Sequence, residues 1–165
     1  MHLRPSLAIV ASLVLLLLYV RPVSAGDPDF SARRNFGTGR DFTRSVATGD
    51  MDGDGDLDII TGNYGQQSVV YLNDGGRNFS TGSNFGTGAD FTRSVAVGDM
   101  DGDGDLDIIT GNDFGQQSVV YLNDGGGNFT AGSNFGKGGD KTRSVAVGDM
   151  DGDGDLDIIT GNSNI

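Results

Sequence analysis

The nonapeptide Asp-Met-Asp-Gly-Asp-Gly-Asp-Leu-Asp occurs three times without a change, at Asp50 to Asp58, Asp99 to Asp107 and Asp149 to Asp157. Carboxylates this dense need a cation, since each like-charged pair ~5 Å apart costs roughly 3 kcal/mol at an effective dielectric of about 20. Oxygen-only donors with no His or Cys nearby select a hard divalent ion. They favour calcium over magnesium, which prefers a tighter octahedron that keeps several waters. Positions 1, 3, 5 and 9 of each loop carry side-chain carboxylates, position 6 is a Gly that permits a tight turn, and position 7 can offer its backbone carbonyl. Merely solvated acidic turns would not reproduce this alternation and its glycines in three places.

Strand patterns flank the loops. The nonapeptides begin at residues 50, 99 and 149, and a period near 50 residues signals a propeller or solenoid. In the unit that starts at Thr92, Ser94 to Val97 alternates as a first strand. Leu106 to Thr110 is a second, rich in β-branched residues, after which Gly111-Asn112 is expected to turn the chain. Gln117 to Leu122 reads as a third strand, Asn123-Asp124-Gly125-Gly126 as a hairpin turn and Asn128 to Phe135 as a fourth strand. Four short antiparallel strands make one propeller blade.

The fold expected is therefore all-β, a partial and open β-propeller of two full blades plus a split, incomplete one. Its units fall at about 44–92 and 93–142, with a truncated unit at 143–165 and a leading strand at 30–39. Propellers close with about four to eight blades, so the open edges imply either a piece of a longer protein or self-association.

The start of each loop matches an EF-hand, but position 12 is Thr61, Thr110 or Thr160 where an EF-hand has a bidentate Glu, and a strand pattern follows in place of a helix. An aspartate loop between two strands on this period resembles the FG-GAP and VCBS repeat families, which include the calcium-binding blades of integrin alpha-chain propellers. Phe36-Gly37, Phe85-Gly86 and Phe135-Gly136 look like the first half of the FG-GAP name. Its Gly-Ala-Pro half is replaced by Thr-Gly-Asn at 61–63, 110–112 and 160–162, which is nearer to VCBS repeats. The resemblance implies up to three calcium ions. It assigns side-chain ligands to Asp50, Asp52, Asp54 and Asp58, with Asp56 binding through its carbonyl. The same roles fall on Asp99, Asp101, Asp103 and Asp107 with Asp105, and on Asp149, Asp151, Asp153 and Asp157 with Asp155. Integrin-like ligand recognition relies on a closed propeller and a partner subunit and does not transfer to so short a chain.

Composition narrows the function. The first 25 residues read as a secretory signal, with Arg4, an apolar run from Leu7 to Val20 and a Val23-Ser24-Ala25 cleavage site before Gly26. The run is short for a membrane span, and the small residues at 23 and 25 disfavour a signal anchor. Cleavage would leave 9 basic against 23 acidic residues, or −14, at residues 26–165. Nucleic acid is therefore an unsuited partner, and no stable membrane span would remain. The chain has no Cys despite an oxidising destination, so its stability must come from core and metal. The sole His is His2, and Glu and Trp are absent, which excludes Ser-His-Asp and Cys-His chemistry; the obvious Asp pairs are already allotted to calcium. The chain reads as a non-enzyme.

In a meander the aspartate loops and the Asn-Asp-Gly-Gly hairpins share one end, and the remaining turns share the other. Those other turns are where the copies differ, and Phe42, Tyr64, Phe91 and Phe114 on them form a possible ligand face for an extracellular protein or glycan. Neutral drift in tolerant turns is the alternative. Arg44, Arg93 and Arg143 recur before each first strand, which suggests a structural role. Asn78 and Asn128 begin glycosylation sequons. The function expected is a secreted calcium-binding adhesion or interaction module. The alternatives are a truncated appendage of a larger extracellular hydrolase and a lectin-like glycan binder.

Overall fold

The computed structural model describes residues 36–76 and 78–163. Strands β1 (Thr43–Gly49), β2 (Asp58–Asn63), β3 (Ser68–Asn73) and β4 (Phe79–Phe85) form one antiparallel sheet in sequential order. Strands β5 (Thr92–Gly98), β6 (Asp107–Asn112), β7 (Ser118–Asn123) and β8 (Phe129–Phe135) repeat it. Strands β9 (Thr142–Gly148) and β10 (Asp157–Asn162) form a third, two-stranded sheet. The sheets are open, as expected of two full blades and an incomplete one. The expected signal at 1–25 and most of the leading strand at 30–39 lie outside the described residues, and Phe36 to Gly39 are not strand.

One turn is corrected. Gly111 and Asn112 do not reverse the chain but belong to β6, where they pair with Ser94 and Thr92 across a local register shift. The reversal falls one step later, at Asp113 to Gln117.

Adjacent side chains on a strand point to opposite faces, so the Ile-Ile and Val-Val doublets supply apolar groups to both sides of each sheet. Ile60 and Val70 of the first blade pack with Val95, Ile108 and Tyr121 of the second. Ile109 and Val120, the other members of the second blade's doublets, pack with Val145 of the third. The core is thus a stack of layers between blades, and the inner strands β1, β5 and β9 adjoin in turn.

Glycines set how closely the blades approach. A Cβ on Gly62 would lie 2.8 Å from Val95 Cγ1 and 2.9 Å from Thr92 Cγ2, and one on Gly111 would lie 2.8 Å from Thr142 Cγ2 and 2.9 Å from Val145 Cγ1. Both neighbours are β-branched and stiff at χ1, so these positions have no room for a larger residue. Gly49 and Gly98 likewise receive Leu106 and Leu156, whose Cδ1 atoms would lie 2.8 Å from an added Cβ. Beside these seats, Val95 N–H donates to Ser45 Oγ and Val145 N–H to Ser94 Oγ, each at 3.1 Å. The inner strands β5 and β9 thereby each give an amide to the blade before them.

Candidate metal centres

Each aspartate loop is ordered by its own carboxylates. Asp50 Oδ1 and Oδ2 accept the Gly53 and Gly55 amides at 2.9 Å each. Asp99 binds Gly102 and Gly104 at 2.7 and 3.0 Å, and Asp149 binds Gly152 and Gly154 at 2.6 and 3.1 Å. Gly53 and Gly55 adopt φ of 76° and 93°, a region that other residues enter only at a steric cost. Asp54 Oδ1 accepts the Asp56 N–H at 2.9 Å, and Asp52 Oδ1 the Asp54 N–H at 3.3 Å.

The last Asp of each loop ties it to the sheet. Asp58 is fully buried, and its carboxylate accepts the Met51 and Asn73 amides at 2.8 Å each. Asp107 does the same with Met100 at 2.8 Å and Asn123 at 2.9 Å. Asp157 keeps the bond from Met150 at 3.0 Å. No strand equivalent to β3 follows β10 among the described residues, and Asp157 is exposed.

Three of the four side chains expected as ligands in each loop converge. One oxygen from each of Asp50, Asp52 and Asp58 lies within 4.8 Å of the others, and the same holds for Asp99, Asp101 and Asp107 and for Asp149, Asp151 and Asp157. Oxygens bound to calcium at about 2.4 Å are at most about 5 Å apart, so this spacing fits. Carboxylate oxygens have spare lone pairs even where they accept an amide. Asp54, Asp103 and Asp153 lie outside these sets, as do Asp56, Asp105 and Asp155. The Asp56 and Asp105 carboxylates face the hairpins instead: a Cβ on Gly75 or Gly125 would lie 2.5 Å from their Oδ2 atoms.

Burial first, and then the charges of Asp54, Asp58 and Asp50, push the Asp52 carboxyl above its ordinary value. Burial also raises Asp107, with Asp101 and Asp103 adding to it, against the lowering bonds from Asn123 and Met100. Both shifts express first the cost of holding a charged carboxylate away from water and then the repulsion of neighbouring acids, and a cation would offset both.

The hairpins share this end, as expected. Asn123 Nδ2 donates to Leu106 O at 3.0 Å within its blade and to Met51 O of the previous loop at 2.9 Å. A Cβ on Gly53 would lie 3.6 Å from Gly125 O. The second blade's hairpin therefore lies against the first blade's loop. In both sequons the glycan-accepting nitrogen is engaged, since Asn78 Nδ2 and Asn128 Nδ2 donate to Asp74 and Asp124 at 2.9 Å.

At the opposite end, three of the four singled-out aromatics gather. Ring centroids of Tyr64, Phe91 and Phe114 lie 4.9, 5.1 and 6.0 Å apart in pairs. Phe42 is exposed and has no ring contact among the described residues. The recurrent arginines brace this cluster. Arg44 and Arg93 stand 5.3 and 4.6 Å from the Tyr64 centroid. Arg93 Nε also pairs with buried Asp113 at 2.9 Å, as does Arg143 Nη1 from the third blade. Asp113 had no role in the sequence reading. Its signal was the one-residue expansion from Tyr64 to Asp113-Phe114, which puts a carboxylate between two repeated arginines.

The FG-GAP-like repeat family matches the chain at residues 50–110 and 102–160, a span that contains all three aspartate loops. Comparison with curated proteins finds no match.

Two outcomes follow. In chelator, where only structural bonds count, Asp107→Asn should cost about 1–3 kcal/mol of unfolding free energy by setting an amide N–H against a buried donor, and Asp157→Asn measurably less; equal urea midpoints would refute the structural role of the buried acid. Burial pushes Asp113 up, but the Phe114 N–H, Arg93 and Arg143 outweigh it and hold the carboxyl below its ordinary value. Its stabilisation is thus complete above the unfolded pKa of about 3.9 and is lost as pH falls through the lower folded value. Asp113→Asn should cost about 1–2 kcal/mol at neutral pH, a figure kept low because both guanidiniums are partly in water. Thermal melts should show that gap closing in acid.

Proposed function

The chain belongs to the FG-GAP-like repeat family, and from that premise we propose that it is a secreted, calcium-stabilised, non-catalytic interaction module. The observation that carries the reading is the threefold recurrence of an oxygen-only cluster with calcium-compatible spacing. Asp50, Asp52 and Asp58 would hold the first ion, Asp99, Asp101 and Asp107 the second, and Asp149, Asp151 and Asp157 the third. The family resemblance adds Asp54, Asp103 and Asp153, with the carbonyls of Asp56, Asp105 and Asp155. Calcium bound there would offset the loop charges and fasten each loop to its sheet through Asp58 or Asp107.

Secretion rests on the signal pattern at 1–25. No helix among the described residues is long and apolar enough to cross a membrane. A non-catalytic role agrees with a chain whose sole His is His2 and which has no Cys or Glu. The ligand is an extracellular protein, and its anchors are Phe42 and Phe114. Both are exposed, whereas Tyr64 and Phe91 are partly covered. Phe114 is also held in a left-handed conformation, φ 54°, by its N–H bond to Asp113 Oδ1 at 2.8 Å. Strained backbone with an exposed aromatic is a frequent mark of a binding loop.

Calorimetric titration should detect calcium uptake with dissociation constants of ~10⁻⁴ to 10⁻³ M, as in other extracellular modules. Each site held at about ten times its constant adds about 1.4 kcal/mol, so the melting temperature should rise over that in chelator. No heat and no shift at millimolar calcium would sink the metal reading. For the ligand face, the chain should capture a partner from an extracellular protein array, and Phe42→Ala with Phe114→Ala should abolish capture while calcium uptake persists. Capture by glycans alone, or capture that survives both substitutions, would refute the protein-binding face.

A further inference from the structure

We propose that two copies of this chain associate head to tail, the first blade of one copy seating on the third sheet of the other. The contact between successive blades has two unlike halves, and each occurs twice inside the chain. The receiving half offers a glycine seat in the inner strand, a second in the next strand and a serine hydroxyl, as in Gly49, Gly62 and Ser45. The inserting half offers a leucine, a valine and that valine's amide, as in Leu106 and Val95.

Each half is also present once more without its partner. On the third sheet the receiving half is empty among the described residues. A Cβ on Gly148 would meet only its neighbour Met150, at 3.9 Å, and one on Gly161 only the adjoining Ser144, at 3.5 Å. Met150 is 68% exposed, although its counterpart Met51 is fully buried. On the first blade the inserting half stands free. Leu57 is 61% and Val46 58% exposed, while Val95, the counterpart of Val46, is buried. Among the described residues no serine accepts the Val46 amide, and Asn73 Nδ2 bonds only its own Leu57 O at 3.1 Å where Asn123 also reaches the preceding loop.

The occupant is a second copy because the matching half is carried by this same chain and continues an interface the fold has already built twice. Unlike faces that meet across copies either close into a ring or extend into a filament. Three sheets per copy among the described residues are too few for closure, two copies bring six, and propellers close with about four to eight. In the pair, Leu57 fills the seat at Gly148, Val46 fills the seat at Gly161 and gives its amide to Ser144, and Asn73 reaches Met150 O.

The test is mass in solution by light scattering or sedimentation. The chain is expressed from Met1 so that the host processes it, and measured at physiological salt, where its negative charge is screened. The expected result is a mass of two chains for the wild type and of one chain for Leu57→Asp and for Gly148→Val. Neither substitution meets a close neighbour in the single chain, and circular dichroism should show each variant folded; Val46→Asp replaces Leu57→Asp, and Gly161→Val replaces Gly148→Val, should either fail to fold. Mixing the two variants should give a two-chain mass again, held by the one contact in which the intact inserting half of one meets the intact receiving half of the other. A wild type of one chain at micromolar concentration, or a two-chain mass that either variant leaves unchanged, overturns the proposal.

Discussion

The structure depends on one constraint: each blade is apolar on both faces, so no blade can bury its core alone. An isolated four-stranded sheet with Ile60 on one side and Ile59 on the other would expose both to water. Stacking solves this, and the energy of the fold lies between the sheets as much as within them. The glycine seats follow from the same requirement. Sheets can interlock at Gly62 and Gly111 only because no Cβ stands in the way of Val95, Thr92, Val145 and Thr142. The serine-to-amide bonds then fix the register of one inner strand on the next.

The acidic loops are part of this scheme and not an addition to it. The nine residues connect β1 to β2, or their equivalents, yet the final Asp reaches beyond that hairpin to the third strand through Asn73 N–H or Asn123 N–H. A buried carboxylate satisfied by two backbone amides links the loop, the second strand and the third strand at one point. The loop also carries shaping bonds of its own, since Asp50 and its counterparts cap two glycine amides. What the loop lacks is charge balance, and the neighbouring acids add to the burial that holds Asp52 and Asp107 above their ordinary carboxyl values.

Much of this was legible in the residues. The period, the four strands per unit and the shared end of loops and hairpins follow from alternation and turn chemistry, and in the two complete units the strands fall where the patterns place them, whereas Phe36 to Gly39 of the expected leading strand are not strand. The misplaced turn at Gly111-Asn112 has a physical reason. Gly is usually punctuation, but here it is an interior strand residue kept small by the neighbouring blade, a cause that only tertiary contact reveals. The converging triads were legible as acids but not as triads, because which three carboxylates meet depends on loop curvature. Asp113 was invisible for a similar reason: its two arginines come from different blades, 20 and 30 residues away. Which of the four singled-out aromatics stay exposed was not readable, since exposure separates Phe42 and Phe114 from Tyr64 and Phe91 only once the rings have packed.

Identical sequence does not make identical sites. The three nonapeptides agree at every position, yet Asp58 and Asp107 are fully buried and doubly bonded to amides, and Asp157 is exposed with one such bond. The difference lies outside the repeat, in whether a third strand stands beside the second. A buried carboxylate with both oxygens fixed meets an incoming cation already oriented, whereas an exposed one must lose side-chain freedom to do so. Water also screens the exposed site more strongly, which weakens both the repulsion among its acids and the attraction they offer. Affinity in such a loop is therefore a property of the blade around it. An interaction that completes the third sheet's surroundings would change the third loop most, and the first two least.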